Sequence, residues 1–280
     1  MPDHSLKNDE PGADLTVRNP DAAPAPRRTR RSPASLREFA LVAVLYACYD
    51  AVHALIRGEA PEAVRHARDL LHLEHLLAID IEHPVNNVLE QAVPIAVAAC
   101  FFYASAHFIV TPAVLVWMWL RHAGHYTATR TVLAAVTVLA LLGFWLFPTA
   151  PPRLVPGAGF HDTLADYSTW GWWAATDSAP KPLAAVANQF AAFPSLHVAW
   201  SLWCGVTLWR YARQPAVRAL GAAYPLITAL VVVGTANHFA LDVLSGAGLW
   251  FVCDRTVRQL TTLRRRRQPV GPGPTEVNLR

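Results

Sequence analysis

The sequence predicts an all-α polytopic membrane protein: a bundle of six transmembrane helices with an amphipathic helix lying in the interface. Two observations carry that prediction, and a third tests it. Hydrophobic residues make up 53% of the 280 and charged residues only 16%. Uncharged apolar runs recur at about the 20 residues that cross a bilayer. The arginines gather at the two ends and in two of the links, as the positive-inside rule requires.

Residues 1–35 are rich in Pro, Asp, Arg and Ala, have no apolar periodicity and read as a disordered cytoplasmic tail. The membrane domain follows, over 36–260. Its first span covers 36–56 and carries Tyr46, Tyr49, Asp50 and His53 in its far half. Those polar groups fit the headgroup level, or place Asp50 beside a polar cavity. Residues 59–83 put Leu70, Leu71, Leu73, Leu76 and Leu77 on roughly one face with charges opposite, the pattern of an interfacial helix. The histidines there do not have the spacing of a helical metal site, and no metal is expected. No cofactor is expected either.

The second span covers 88–120, contains His107, Pro94 and Pro112, and is longer than one crossing needs. The link 121–130 leads to an uncharged third span, 131–147. A long loop, 148–193, then carries Trp170, Trp172 and Trp173, which suit an interfacial lid. Spans four, five and six cover 195–209, 216–235 and 238–257, and 261–280 form a basic cytoplasmic tail. Cys48, Cys100, Cys204 and Cys253 lie in or beside apolar runs and read as small buried hydrophobes. The basic tails suit anionic lipid headgroups, and nothing in the chain marks a nucleic-acid partner.

Six spans place both termini on one side. The arginines near 27–37, Arg121 and Arg130, Arg210, Arg213 and Arg218, and Arg264 to Arg267 all fall there. That side is therefore cytoplasmic. Arg153, Ser195, His197, His238 and Asp242 fall together at the opposite, extracytoplasmic face.

Polar side chains at the ends of membrane segments are costly and mark function. His238 and Asp242 are four apart and share a helical face. A carboxylate there fixes the imidazole tautomer and makes the ring an oriented nucleophile. Ser195 and His197 open span four, where free amides and the helix dipole favour an anion. Arg153 can grip two phosphate oxygens, and His197 remains to protonate a leaving oxygen. The set reads as a phosphate site. The alternative is a non-enzymatic transporter or lipid-binding scaffold, with polar pairs near the bilayer midplane.

FPTAPPRL, FPSLHVAW and NHFALD, in this order on six spans, resemble the type-2 phosphatidic acid phosphatase superfamily. Within it they are most similar to inositol phosphorylceramide synthase (aureobasidin-target) type inositolphosphotransferases of bacterial membranes. The resemblance implies phosphate binding by Arg153 and Ser195. It also implies an acid at His197 and a phosphohistidine at His238 supported by Asp242. The expected partners are a phospholipid or polyprenyl-phosphate donor and an alcohol or water acceptor, at a bacterial plasma membrane.

The chain departs from the phosphatases in three ways. No Lys precedes Arg153 in its span. Val232 stands where an Arg six residues before the nucleophilic His is usual. The second motif reads Ser-Leu-His rather than Ser-Gly-His. With fewer cations, a phosphodiester donor and inositol-phosphate-type transfer fit better than monoester hydrolysis, which stays as the alternative. Lys181, His161, His107 and Asp50 are secondary candidates for the site.

Overall fold

The computed structural model describes residues 60–173 and 190–267, together with positions 38, 40, 44, 47 and 51. The chain divides into two units, Met1–Leu41 and Val42–Arg280. In the first, Glu38 and Ala40 are helical. Everything below concerns the second. The expected first span, with Asp50, lies outside the described residues apart from those helical positions, as do Lys181 and Cys48.

Among the described residues the architecture is helical. The elements are α1 (Ala60–Leu77), α2 (Glu82–Glu90), α3 (Val93–Arg121), α4 (Ala123–Leu146), α5 (Thr163–Asp166), α6 (Leu196–Tyr211), α7 (Pro215–Gly234) and α8 (Ala240–Arg267). An isolated bridge between Thr149 and Ala191 is the extended pairing described. Three of these helices, α3, α4 and α7, are long and apolar enough to cross a membrane. Of the six spans expected, three are found among the described residues and the first lies outside them. The other two differ for physical reasons. Helix α6 has 16 residues, about one turn less than a full crossing. Helix α8 carries Asp242 at its start and Asp254 and Arg255 after its apolar stretch.

Several boundaries differ from expectation. Residues 82–90 form their own helix before α3, so the overlong second span is a short helix followed by a crossing. Only His122 separates α3 from α4, where a ten-residue link was expected.

In α1 the buried residues are Ala63, Ala67, Leu70 and Glu74, spaced at helical period. Leu73, Leu76 and Leu77 are exposed. The helix thus inserts a carboxylate into the protein, and of the five leucines expected on one face it buries Leu70 and turns Leu73, Leu76 and Leu77 outward. His66 of α1 stacks on Phe147 and bonds the Pro148 carbonyl, His75 pairs with Asp80, and His83 stacks on Phe160.

The core lies between α4, α6 and α8, with Val136, Phe144, Ala199 and Trp203 at its centre. Burial of such side chains contributes about 1.5–3 kcal/mol each. Indole N–H groups lock α6 to α4: Trp200 donates to Thr137 Oγ1 (3.0 Å) and Trp203 to the Thr129 carbonyl (2.8 Å). Helices α6 and α7 cross at Gly205 and Gly221, where a Cβ on Gly205 would lie 2.4 Å from the Gly221 carbonyl. Small residues of this kind let helix backbones approach. Trp173, expected in a lid, is instead fully buried and meets Phe101 edge-on at 4.7 Å; Trp170 and Trp172 are exposed.

The connections sort into two ends. The C-termini of α4 and α7 and the N-termini of α6 and α8 meet at one end. The α3–α4 and α6–α7 links and the tail of α8 lie at the other. That second end holds Arg121, Arg210, Arg213 and Arg218, with Arg210 forked onto Asp254 (3.1 and 3.2 Å) and Arg258 bonded to it (2.7 Å).

Candidate active site

The site is built where α7 stops and α8 starts. Helix α7 ends in a Schellman arrangement: Asn237 N–H reaches back to the Val232 carbonyl (3.0 Å) and Ala236 N–H to Val233 (2.9 Å). Ala236 takes the left-handed conformation this stop requires, φ 52°, where Gly is usual. The turn aims the Ala236 carbonyl at Arg153, whose N–H donates to it (3.0 Å). Arg153 sits in a 3₁₀ turn, Pro152–Leu154. Its Nε donates to Asn237 Oδ1 (3.0 Å) and its Nη1 to Asp162 Oδ2 (3.1 Å).

Asp242 lies in the first turn of α8 and is fully buried. Its Oδ2 accepts from the Phe239 amide (2.9 Å), a helix-capping bond, and faces His238 Nδ1 at 3.2 Å. With a carboxylate on that side, Nδ1 carries the proton and Nε2 keeps its lone pair. His238 Nε2 faces His197 Nδ1 at 3.4 Å.

His197 stands in the first turn of α6. Its ring stacks on Tyr103 (4.7 Å between centroids) and meets His107 edge-on (4.5 Å). Its Nε2 is buried without a hydrogen-bond partner. Ser195 caps α6, accepting from the Val198 amide on a long 3.4 Å bond, and donates its own N–H to the Asp242 carbonyl (3.0 Å). Gly246 makes that approach feasible: a Cβ there would lie 2.3 Å from the Ser195 carbonyl.

The structure thus links Arg153, Ser195, His197, His238 and Asp242 through one web of bonds, and brings His107 against it. It does not bring in His161. His161 is exposed; its backbone N–H bonds Asn86 Oδ1 (2.8 Å). Asp50 and Lys181 lie outside the described residues.

The arrangement is closed. A cavity of about 10 Å³ borders His197, His107 and Val232, about the space of a single water. Larger hollows, about 200 and about 570 Å³, are at the far end, beside Arg210 and Asp254 and beside Arg121 and Arg213.

Four residues of this web were not assigned to the site from the sequence. Asn237 and Asp162 hold Arg153. Glu74 and Glu82, both fully buried, accept from the Leu241 amide (2.7 Å) and the Ala240 amide (2.5 Å) at the start of α8. The signal for Glu74 was there, in its place seven residues after Ala67 and four after Leu70 on the small-residue stripe of α1. Asn86 also escaped notice. It ties the loop to α7 through the Gly234 carbonyl (2.7 Å) and both backbone groups of His161.

No curated protein and no solved structure matches the chain. A family model described as the PAP2 superfamily matches residues 68–253, from the middle of α1 to the middle of α8. That range contains the whole web of the site and well over half of the chain, so this protein belongs to the PAP2 superfamily, as a membrane-associated enzyme of the phosphatase and phosphotransferase kind that acts on lipid phosphates.

Proposed function

We propose that this enzyme transfers a phosphorylated lipid headgroup through a phosphohistidine on His238, with inositol-phosphate-type transfer favoured over hydrolysis. The observation that carries this reading is the buried Asp242–His238–His197 series. It has one imidazole nitrogen on a carboxylate and the other on a second imidazole.

In the first step His238 Nε2 attacks phosphorus. The bond from phosphorus to the headgroup-leaving oxygen breaks, and His197 delivers its Nδ1 proton to that oxygen. Asp242 stabilises the positive charge that grows on the His238 ring. Ser195, the first amides of α6 and the unused edge of the Arg153 fork take the negative charge of the transferring group. In the second step an alcohol gives its proton to His197 Nδ1 and attacks phosphorus, and the Nε2–phosphorus bond breaks. Water in place of the alcohol makes the same residues a phosphatase.

The preference for a diester donor rests on charge. Val232 packs in the core beside Val198 and supplies no cation where a phosphatase has Arg. A diester has one negative charge fewer than a monoester and needs less compensation.

The end of the bundle that carries the site is the one without the arginine-rich links. This supports an extracytoplasmic site with both termini cytoplasmic, in a bacterial plasma membrane.

The test is to incubate purified protein with labelled phosphatidylinositol and a lipid alcohol. Labelled inositol-phosphate lipid is expected, vanadate should block its formation, and His238→Ala should abolish it. Free inositol phosphate alone would select hydrolysis. Undiminished turnover by His238→Ala would overturn the phosphohistidine.

A further inference from the structure

Three carboxylates converge on the first turn of α8. Asp242 takes the Phe239 amide, Glu82 the Ala240 amide and Glu74 the Leu241 amide, so three of the four N–H groups that a helix start leaves open are used. Glu74 and Glu82 come from α1 and α2, far away in the chain, and all three side chains are fully buried. Each glutamate spends only Oε1 on the backbone. Both Oε2 atoms are buried and receive no donor from elsewhere in the protein. The two carboxyls are close enough to act on each other, and a proton on one of them would give both open oxygens a partner.

We propose that Glu74 and Glu82 are positioning residues for the His238 centre, a proton-sharing carboxyl pair that holds the first turn of α8, and with it Asp242 and His238, in place. This rests on His238 being the nucleophile.

The electrostatics favour a shared proton. A helix N-terminus offers about half a positive charge, too little for three adjacent carboxylates in a dry site. Burial, followed by the neighbouring charges of Glu82 and Asp242, pushes the Glu74 carboxyl up to about 8. The charges acting on it from α2 and α8 are therefore both acidic. On α1 itself the nearest ionic groups, Arg68, Asp69, His72 and His75, are exposed, and His75 pairs with Asp80 beyond the helix end. His83, next to Glu82, is stacked on Phe160. With the proton present, the helix start carries the Asp242 charge that His238 needs. Without it, the glutamates repel each other and Asp242, the cap loosens and the site becomes more hostile to a phosphate.

Four variants test this: Glu74→Gln, Glu82→Gln, the double glutamine variant and Glu74→Ala. Either single glutamine keeps the Oε1 acceptor and replaces the shared proton by an amide N–H. Two glutamines turn donor against donor. The single variants should therefore turn over at pH 7, and Glu74→Gln should remove the fall in wild-type activity expected as pH rises through about 8. The double variant and Glu74→Ala should lose about tenfold or more, as misplaced catalytic groups do.

Melting in detergent gives a reading independent of turnover. The folded pKa lies above that of a free carboxyl, so the stabilisation is whole below about 4.5 and is lost as pH rises to about 8. Wild-type melting temperature should drop across that window more than that of Glu74→Gln. Equal pH dependence of the two proteins, or a double variant as active as the singles, would overturn the pair. A wild type that turns over normally while His238→Ala does too would remove the positioning role, and the melting comparison would still judge the shared proton.

Discussion

Replacing Gly246 by alanine tests whether the meeting of α6 and α8 sets the reaction geometry. Gly246 lies one turn after Asp242, facing Ser195. An added Cβ would sit 2.3 Å from the Ser195 carbonyl oxygen and 3.1 Å from its carbon, where ordinary contact begins at 3.4 Å, so the backbones must part by about 1.1 Å. Ser195 moves with that carbonyl, and its 3.0 Å bond to the Asp242 carbonyl stretches beyond bonding range. His197, two residues on, shifts away from His238. A misplacement of about 1 Å costs about a hundredfold in rate. The overpacking costs about 1–3 kcal/mol of stability, offset in part by about 0.5–1 kcal/mol from placing alanine for glycine in a helix.

Gly248 supplies the control, because a Cβ there meets nothing within 4 Å on the same helix. Transfer assays on both variants, with melting curves to show that each is folded, separate geometry from helix propensity. Gly246→Ala should lose about two orders of magnitude in kcat while Gly248→Ala keeps it. A folded Gly246→Ala enzyme with wild-type kcat would refute the claim that Ser195 and His197 are held in place by contact with α8.

Arg153→Lys should lower kcat/KM by about 10²–10³, because one ammonium cannot bond Asn237 and Asp162 and still present a fork to phosphate. Steady-state kinetics with near wild-type values would argue against Arg153 as the anion clamp. Asn86→Ala leaves the His161 amide and the Gly234 carbonyl without their partner, at a cost of about 2–4 kcal/mol, which should appear as a lower melting temperature. Asp254→Ala releases Arg210 and Arg258, both exposed enough to rehydrate, so about 1 kcal/mol or less is expected. Turnover should not change, since that network is at the other end of the helices; a large loss would mean the two ends are coupled.

The residues that could be picked from the sequence share one property: they are polar and stand at the edge of long apolar runs. His238, Asp242, Ser195, His197 and Arg153 all announce themselves by contrast. Helices α6 and α7 were legible within a residue or two for the same reason, since Pro194, Pro215 and the Thr235–Asn237 turn punctuate them. Glu74 and Glu82 were hidden because α1 and α2 already carry many charges, and there a buried carboxylate looks like its solvated neighbours. Only the tertiary structure shows that α8 begins against them. Trp173 misled in the opposite direction. Its aromatic neighbours suggested a surface belt, but a ring that finds Phe101 and a gap in the core gains more from burial than from the headgroup layer. Of the six crossings expected, three are found among the described residues: the first lies outside them, α6 has 16 residues, and α8 carries charge at both limits of its apolar stretch.

The closed site has a direct consequence for how a substrate enters it. In the proposed mechanism phosphorus comes between His238 Nε2 and His197 Nδ1, which face each other at 3.4 Å. One ring has to give way, and the structure distinguishes the two. His238 is held by Asp242 at Nδ1 and by the Schellman turn through its backbone, which bonds the Val232 carbonyl (3.0 Å). His197 is held by ring contacts with Tyr103 and His107, and its far nitrogen bonds nothing. Ring contacts yield more cheaply than a buried carboxylate–imidazole bond. In that mechanism the proposed acid moves and the proposed nucleophile stays, so His197 would swing towards the leaving oxygen with its proton while His238 keeps its aim. In the same motion a phosphate oxygen would take the edge of the Arg153 fork that Asn237 and Asp162 leave unused. Binding and the repositioning of the acid are then one event, which places the cost of opening on the step that binds substrate rather than on the chemical step.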